Sequence, residues 1–213
     1  MGQKNWRMIS GKNEVISEEQ RQQMKINVEE AYGRFLTTLG YDWRNDSNME
    51  GTPRRIAKMY IDEVTKGSYS EEPKITSFEN QTKYNGIVFQ GNITVKSLCS
   101  HHMQPFFGKC HVAYIPDEGG QVIGLSKLNR IVDWFSRRPQ LQEQLTQQIH
   151  DYINKVTVKN KGVAVVVEAK HMCVYLRGIE DDSTMKTAQL SGTFLDNSDR
   201  SRDEFYNFIN QLK

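Results

Sequence analysis

Two short stretches hold most of the chain's capacity for chemistry: Cys99-Ser100-His101-His102 and, much later, His171-Met172-Cys173. Three of the five histidines and two of the three cysteines fall in these positions. A catalytic zinc takes three ligands from the protein and leaves one position for water. Cys99, His102 and Cys173 supply such a trio, with thiol and imidazole donors of the softness zinc prefers. His101 and His171 are then spare imidazoles beside the metal. A metal-activated water with proton carriers next to it is what a hydrolytic site needs.

The rest of the composition narrows the setting. A formal net charge of +2 over 213 residues is too small to hold duplex nucleic acid by charge alone. No apolar run reaches bilayer-spanning length, so neither nucleic acid nor membrane is an expected partner. Met1-Gly2-Gln3-Lys4-Asn5-Trp6 lacks the apolar centre of a secretion signal, which makes the cytoplasm the expected location. Three cysteines make no disulfide framework, and metal binding is the better use for two of them with histidines alongside.

The elements that must position these groups can be read in order. Residues 1–16 are polar, without a period, and read as a loose arm. Ser17-Glu18-Glu19-Gln20 is a capping box, followed by Met24, Val28, Ala31 and Phe35 at helical spacing and Gly40 as a stop. Thr52-Pro53 opens a second helix, apolar at Ile56, Met59, Tyr60 and Val64 and ended by Gly67. Residues 68–84 read as loop. Ile87, Phe89, Ile93 and Val95 then mark a strand interrupted at Gly91-Asn92, where a bulge fits, and this strand delivers Cys99. Cys110 to Ile115 is a returning strand, with a turn at Asp117-Glu118-Gly119-Gly120. Two helices follow, one from Ser126 and one carrying Leu141, Leu145, Ile149 and Ile153, parted by Arg137-Arg138-Pro139. Val163 to Ala169 is a continuous apolar strand running into His171 and Cys173. Thr187 to Leu195 is a last strand and Ser198 to Leu212 a closing helix.

This order predicts an α+β fold: a four-stranded antiparallel sheet with helices on one face, over residues 68–213. An N-terminal arm and helical extension, residues 1–67, would precede it within one structural unit. A sheet of this kind leaves two open edges, and open edges are usually covered, so self-assembly is expected.

At this point several blocks resemble one family, GTP cyclohydrolase I. They are Thr52 to Tyr60, Cys99 to Gly108, Gly124 to Val132, Arg138 to Thr146, and His171 through Arg177-Gly178. All stand in the family's order, and the resemblance spans roughly residues 18–212. It implies a tunnelling fold and a toroidal homodecamer of two pentamers with active sites at subunit interfaces. It also implies Zn2+ as cofactor and GTP as substrate. The reaction opens the guanine imidazole ring by hydrolysis, releases formate and closes the ribose carbons into 7,8-dihydroneopterin triphosphate. Folate, biopterin and 7-deazaguanine routes all begin there.

By the same resemblance Cys99, His102 and Cys173 are the metal ligands, and His101 and His171 the acid/base pair. Glu143 accepts from the N–H edge of guanine, which adenine lacks, and Gln142 lies beside it in the pocket. Ser126 sits near the ribose. Lys127, Arg130 and Arg177 hold the triphosphate, joined by Arg55 and Lys58 from a neighbouring subunit. Two positions depart from the family: Ser100 stands where glutamate is usual, and Gln104 where an apolar residue is common.

Blander roles compete for several of these residues. Cys110 reads as a small core residue, His111 as structural and His150, late in a helix, as solvent-facing. Ser126 could cap its helix, and Lys127, Arg130 and Lys58 could form a solvated basic face. Glu143 could be an ordinary exposed helix position. Two other functions also compete. A zinc-dependent lyase or synthase acting on a dihydropterin would want three histidine ligands. A non-catalytic zinc-stapled assembly module would need neither His101, His171 nor Glu143.

Overall fold

The computed structural model describes residues 8–196 and 198–212. Helix α1 (Glu18–Thr38) begins where the capping box predicts. Ser17 Oγ accepts from the Gln20 N–H, and the Gln20 side chain accepts from the Ser17 N–H. Helix α2 (Thr52–Lys58) carries Pro53 in its first turn, where a missing N–H leaves no bond unmade. It does not run on as an α-helix through Val64; Met59–Val64 is a π-helical segment. Helices α1 and α2 pack against each other.

The stretch read as loop contains a short strand, β1 (Ser77–Glu79), paired antiparallel with β4 (Gln121–Ile123). Among the described residues the main sheet has five strands, not four. In it β2 (Val88–Cys99), β3 (Pro105–Pro116), β6 (Asn160–His171) and β7 (Met185–Leu190) are successive antiparallel neighbours. The fifth, β5 (Pro139–Gln140), runs parallel to the end of β2, with Cys99 opposite Gln140. Two residues are too few to show a period, so nothing in the sequence marks β5. The Gly91-Asn92 interruption is a bulge: register shifts between Gln90 and Ile93, and Asn92 takes a φ of 56°.

Helices α3 (Leu125–Ser136) and α4 (Gln142–Val156) pack on one face, burying Leu128, Ile131, Leu145 and Ile149 against Val95, Val112, Val165 and Val167. The expectation of helices on one face alone does not hold. Helix α6 (Ser201–Asn210) places Phe205 and Ile209 on the opposite face with Ala164, Val166 and Phe194. This explains the unbroken apolar run in β6, whose alternate residues serve two cores. Gly108 is required where β3 runs beside β6, opposite Ala169, because a Cβ there would lie 1.9 Å from Glu168 O.

Two other expectations are corrected. Gly11 to Ile16 are not a loose arm. The Gly11 N–H donates to Pro139 O, Gly11 O accepts from Arg138 and Gln148, and the Ile16 N–H donates to Tyr69 O. Residues 1–7 of that arm lie outside the described residues. His150 is buried, with Nε2 2.9 Å from Ser191 Oγ, because the end of β7 folds over this part of α4. Among the described residues no helix is long and apolar enough to cross a membrane.

Candidate active site

Backbone geometry brings the two chemical stretches together. Strand β2 ends at Cys99, and a tight turn closes it onto β3. The Cys99 N–H donates to Gln104 O and the Met103 N–H to Cys99 O, with Met103 at a φ of 53°. Strand β3 then pairs Phe106 with His171 at the end of β6, and the one-turn helix α5 (Met172–Tyr175) turns Cys173 back towards Cys99. Strand β5 runs beside Cys99 and leads directly into α4, whose first residues are Gln142 and Glu143. The short strand missing from the sequence reading is therefore what docks the first turn of α4 at the cysteines.

These elements enclose a cleft of about 290 Å³ lined by Cys99, His101, Gln142, Glu143, His171 and Cys173, with Ser183 to Met185 on the far side. Ligand atoms of Cys99, His171 and Cys173 lie within 4.8 Å of one another. The two thiols suit a cation between them. Burial and the neighbouring Cys99 sulfur both push the Cys173 thiol up, since two thiolates cannot share so small a space without a positive charge.

His171 is held by two neighbours. Its ring lies on Phe106, centroids 4.6 Å apart and planes 6° from parallel. Its Nε2 is 2.8 Å from Gln142 Oε1. Burial lowers its pKa, while the nearby Glu143 carboxylate acts in the opposite direction. Gln142 is itself 1% exposed, and its Nε2 faces Val167 O, Met185 O and Thr187 Oγ1, each at 3.1 Å. Neither Thr187 nor its partner Thr146 stands out in the sequence: one sits in a polar strand, the other on the inner face of a helix.

Other candidates lie elsewhere. His102 is exposed, and its Nε2 is 3.3 Å from Arg177 Nη1, outside the Cys99–His171–Cys173 group. Ser126, Lys127 and Arg130, near the start of α3, do not line the cleft; Lys127 Nζ donates to Lys74 O. Ser126 does not cap α3, whose N-cap is Gly124. Arg55 and Lys58 are exposed on α2, where Arg55 donates to Asn48 O and Thr52 Oγ1. Cys110 is fully buried and its thiol pushed up by that burial. His111 is buried against Phe89 and 3.7 Å from Glu168.

Comparison with known proteins shows the family. Residues 28–210 match the family described as GTP cyclohydrolase I. The chain is 42% identical to GTP cyclohydrolase 1 of Flavobacterium johnsoniae, over 92% of this chain and 84% of that one. It is 45% identical to GTP cyclohydrolase 1 of a Sulfurihydrogenibium species, over 89% and 97%. The solved structure of an archaeosine synthase, QueF-like in the apo form, overlaps 49% of this chain and 93% of its own at a TM-score of 0.36 and 19% identity, too low to fix the strand arrangement. The family match over most of its length and the close curated relatives make the chain a member of the GTP cyclohydrolase I family.

Proposed function

We propose that this protein opens the imidazole ring of GTP by hydrolysis, releasing formate and giving 7,8-dihydroneopterin triphosphate. The observation that carries the reading is the convergence of Cys99, Cys173, two imidazoles and the Glu143 carboxylate on one cleft. A non-catalytic zinc staple would need the cysteines but not His101, His171 or Glu143 beside them.

The donor set fits zinc, with Cys99 and Cys173 as two ligands and His102 as the third. His102 is exposed, with Arg177 beside it, whereas His171 is already held by Phe106 and Gln142. When bound, zinc lowers the pKa of a water towards about 7 and so supplies the nucleophile for guanine C8.

The chain's own residues do the rest. Glu143, exposed in the first turn of α4, accepts from the N–H edge of guanine and orients the base. His171 and His101 line the same cleft and carry protons to and from the opening ring. Desolvation favours a neutral His171, which can accept a proton at the nitrogen that Gln142 does not use.

Arg177 stands beside His102 and is assigned to the triphosphate, with Lys127 and Arg130. Ser126, assigned to the ribose, and these two cations lie outside the single-chain cleft, which supports a site completed by a second copy. Arg55 and Lys58 are assigned to that second copy's contribution. Among the described residues the edge of β7, and of β2 before Leu98, has no strand partner, which supports closure into a ring, proposed as a decamer of two pentamers with the tunnelling fold. Incubating the zinc-loaded protein with GTP tests the reading: formate and a fluorescent oxidised neopterin are expected, and GTP returned intact would overturn it.

A further inference from the structure

We infer that Gln142 is a positioning residue for His171 rather than a ligand for the substrate, and that it fixes His171 as the tautomer protonated at Nε2. The inference rests on the proposed acid/base role of His171, but the geometry behind it does not. Val167 O and Met185 O can only accept hydrogen bonds, so the amide end facing both of them is the NH2 group. A flipped amide would press its oxygen against two carbonyls. Oε1 is thereby aimed at His171, and because it can only accept, His171 Nε2 must donate. Nδ1 is left as the nitrogen with a free lone pair.

A second set of bonds secures the same orientation. Thr146 Oγ1 donates to Gln142 O at 2.9 Å. In its 2.6 Å contact with Thr187 Oγ1, Thr146 is therefore the acceptor and Thr187 the donor. Thr187 Oγ1 keeps a lone pair towards Gln142 Nε2 at 3.1 Å, and the two amide protons are shared among the three acceptors Val167 O, Met185 O and Thr187 Oγ1. The loop Gln142–Thr187–Thr146–Gln142 uses every hydroxyl proton without conflict. It is built from α4 and β7, the elements flanking the end of β6, so it ties their spacing to the orientation of one imidazole. With Phe106 stacked against the ring, His171 has one plane and one tautomer.

A residue that binds substrate and one that holds a histidine fail differently. Gln142→Leu is expected to lower kcat by about 10- to 100-fold, the range for groups that orient a functional imidazole, with KM for GTP within about twofold and zinc content unchanged. Gln142→Glu is expected to restore part of kcat, because a buried neutral carboxylic acid can donate its single O–H to one of the two carbonyls and accept from His171 with its other oxygen. A rise in KM with kcat retained would return Gln142 to the substrate and overturn the inference. The tautomer is read directly on wild-type protein with 15N-labelled histidine, zinc-loaded, in the alkaline range where imidazoles are neutral. The resonance pair that vanishes in His171→Ala should show a protonated Nε2 and an unprotonated Nδ1. The opposite pattern would overturn the inference whether or not the variants fold. If the tautomer is as expected but wild-type protein releases no formate from GTP, the functional reading fails and the positioning role stands.

Discussion

His171 lies face to face with Phe106, 4.6 Å between ring centroids, across the pairing of β6 with β3. The contact is a consequence of sheet register: a one-residue slip of either strand would put the two side chains on opposite faces. The imidazole therefore inherits its place from the longest strands of the fold. Its neighbours across the cleft come from the first turn of α4, which the two-residue β5 leads into, from the end of β2 and from the one-turn α5.

The first prediction separates the proposed ligand His102 from the proposed proton carrier His171. His102→Ala should lose stoichiometric zinc together with activity. His171→Ala should keep zinc and lose turnover, by about a hundredfold or more, as expected for removal of a general acid or base. Metal analysis of both purified variants checks this. Zinc lost from His171→Ala and kept by His102→Ala would make the close Cys99–His171–Cys173 group the ligand set instead.

In the proposed reading Glu143 governs the choice of base. Glu143→Gln exchanges an acceptor for a group that is partly a donor, against a guanine edge that offers only donors. The expected loss in kcat/KM for GTP is about 2 kcal/mol, roughly thirtyfold. Steady-state kinetics with GTP and ATP checks it, and an unchanged preference for GTP would move base recognition elsewhere.

Arg138 anchors the N-terminal segment. It is 2% exposed, stacks on Trp134 and Phe135 at 4.2 and 5.0 Å, and donates to Gly11 O. Burial brings its pKa down to about 10. Arg138→Ala opens a cavity and strands the Gly11 carbonyl, so a fall in unfolding midpoint of about 5–10 °C is expected. Arg138→Lys should rescue little, since an ammonium cannot stack and donate in the same plane. Thermal melts followed by circular dichroism check both.

Much of this arrangement was legible beforehand where the signal is local. The capping box at Ser17, the Gly91-Asn92 bulge and the apolar run of β6 each have a short-range cause. What stayed hidden depends on partners distant in sequence. The two residues of β5 are a strand only because β2 runs beside them, and Gly11 is anchored only because Arg138 reaches it. His150 looked solvent-facing because helical spacing shows which side a residue takes, not that Ser191 covers it. Cys99 and Cys173 were recognisable as a pair from residue type. The roles of Thr146 and Thr187 were not, because a threonine in a strand or helix carries no mark of what it bonds.

Stability should depend on pH through His111. Burial lowers its pKa, with Lys186 and Lys109 acting in the same direction and Glu168 opposing them. The unfolded chain then binds a proton more readily than the folded one, so stability is full above about pH 6.5 and falls as pH drops below it. His111→Asn should flatten the change in unfolding midpoint between about pH 7 and pH 5. An equally steep variant would place the dependence on another group.

The account depends most on a zinc ion shared by Cys99 and Cys173. Its most direct test is zinc content and formate release measured side by side on wild type, Cys99→Ser and Cys173→Ser. The account predicts about one zinc per chain and formate from GTP in wild type, with both lost in each variant. A cysteine variant that kept its zinc and still released formate would contradict it.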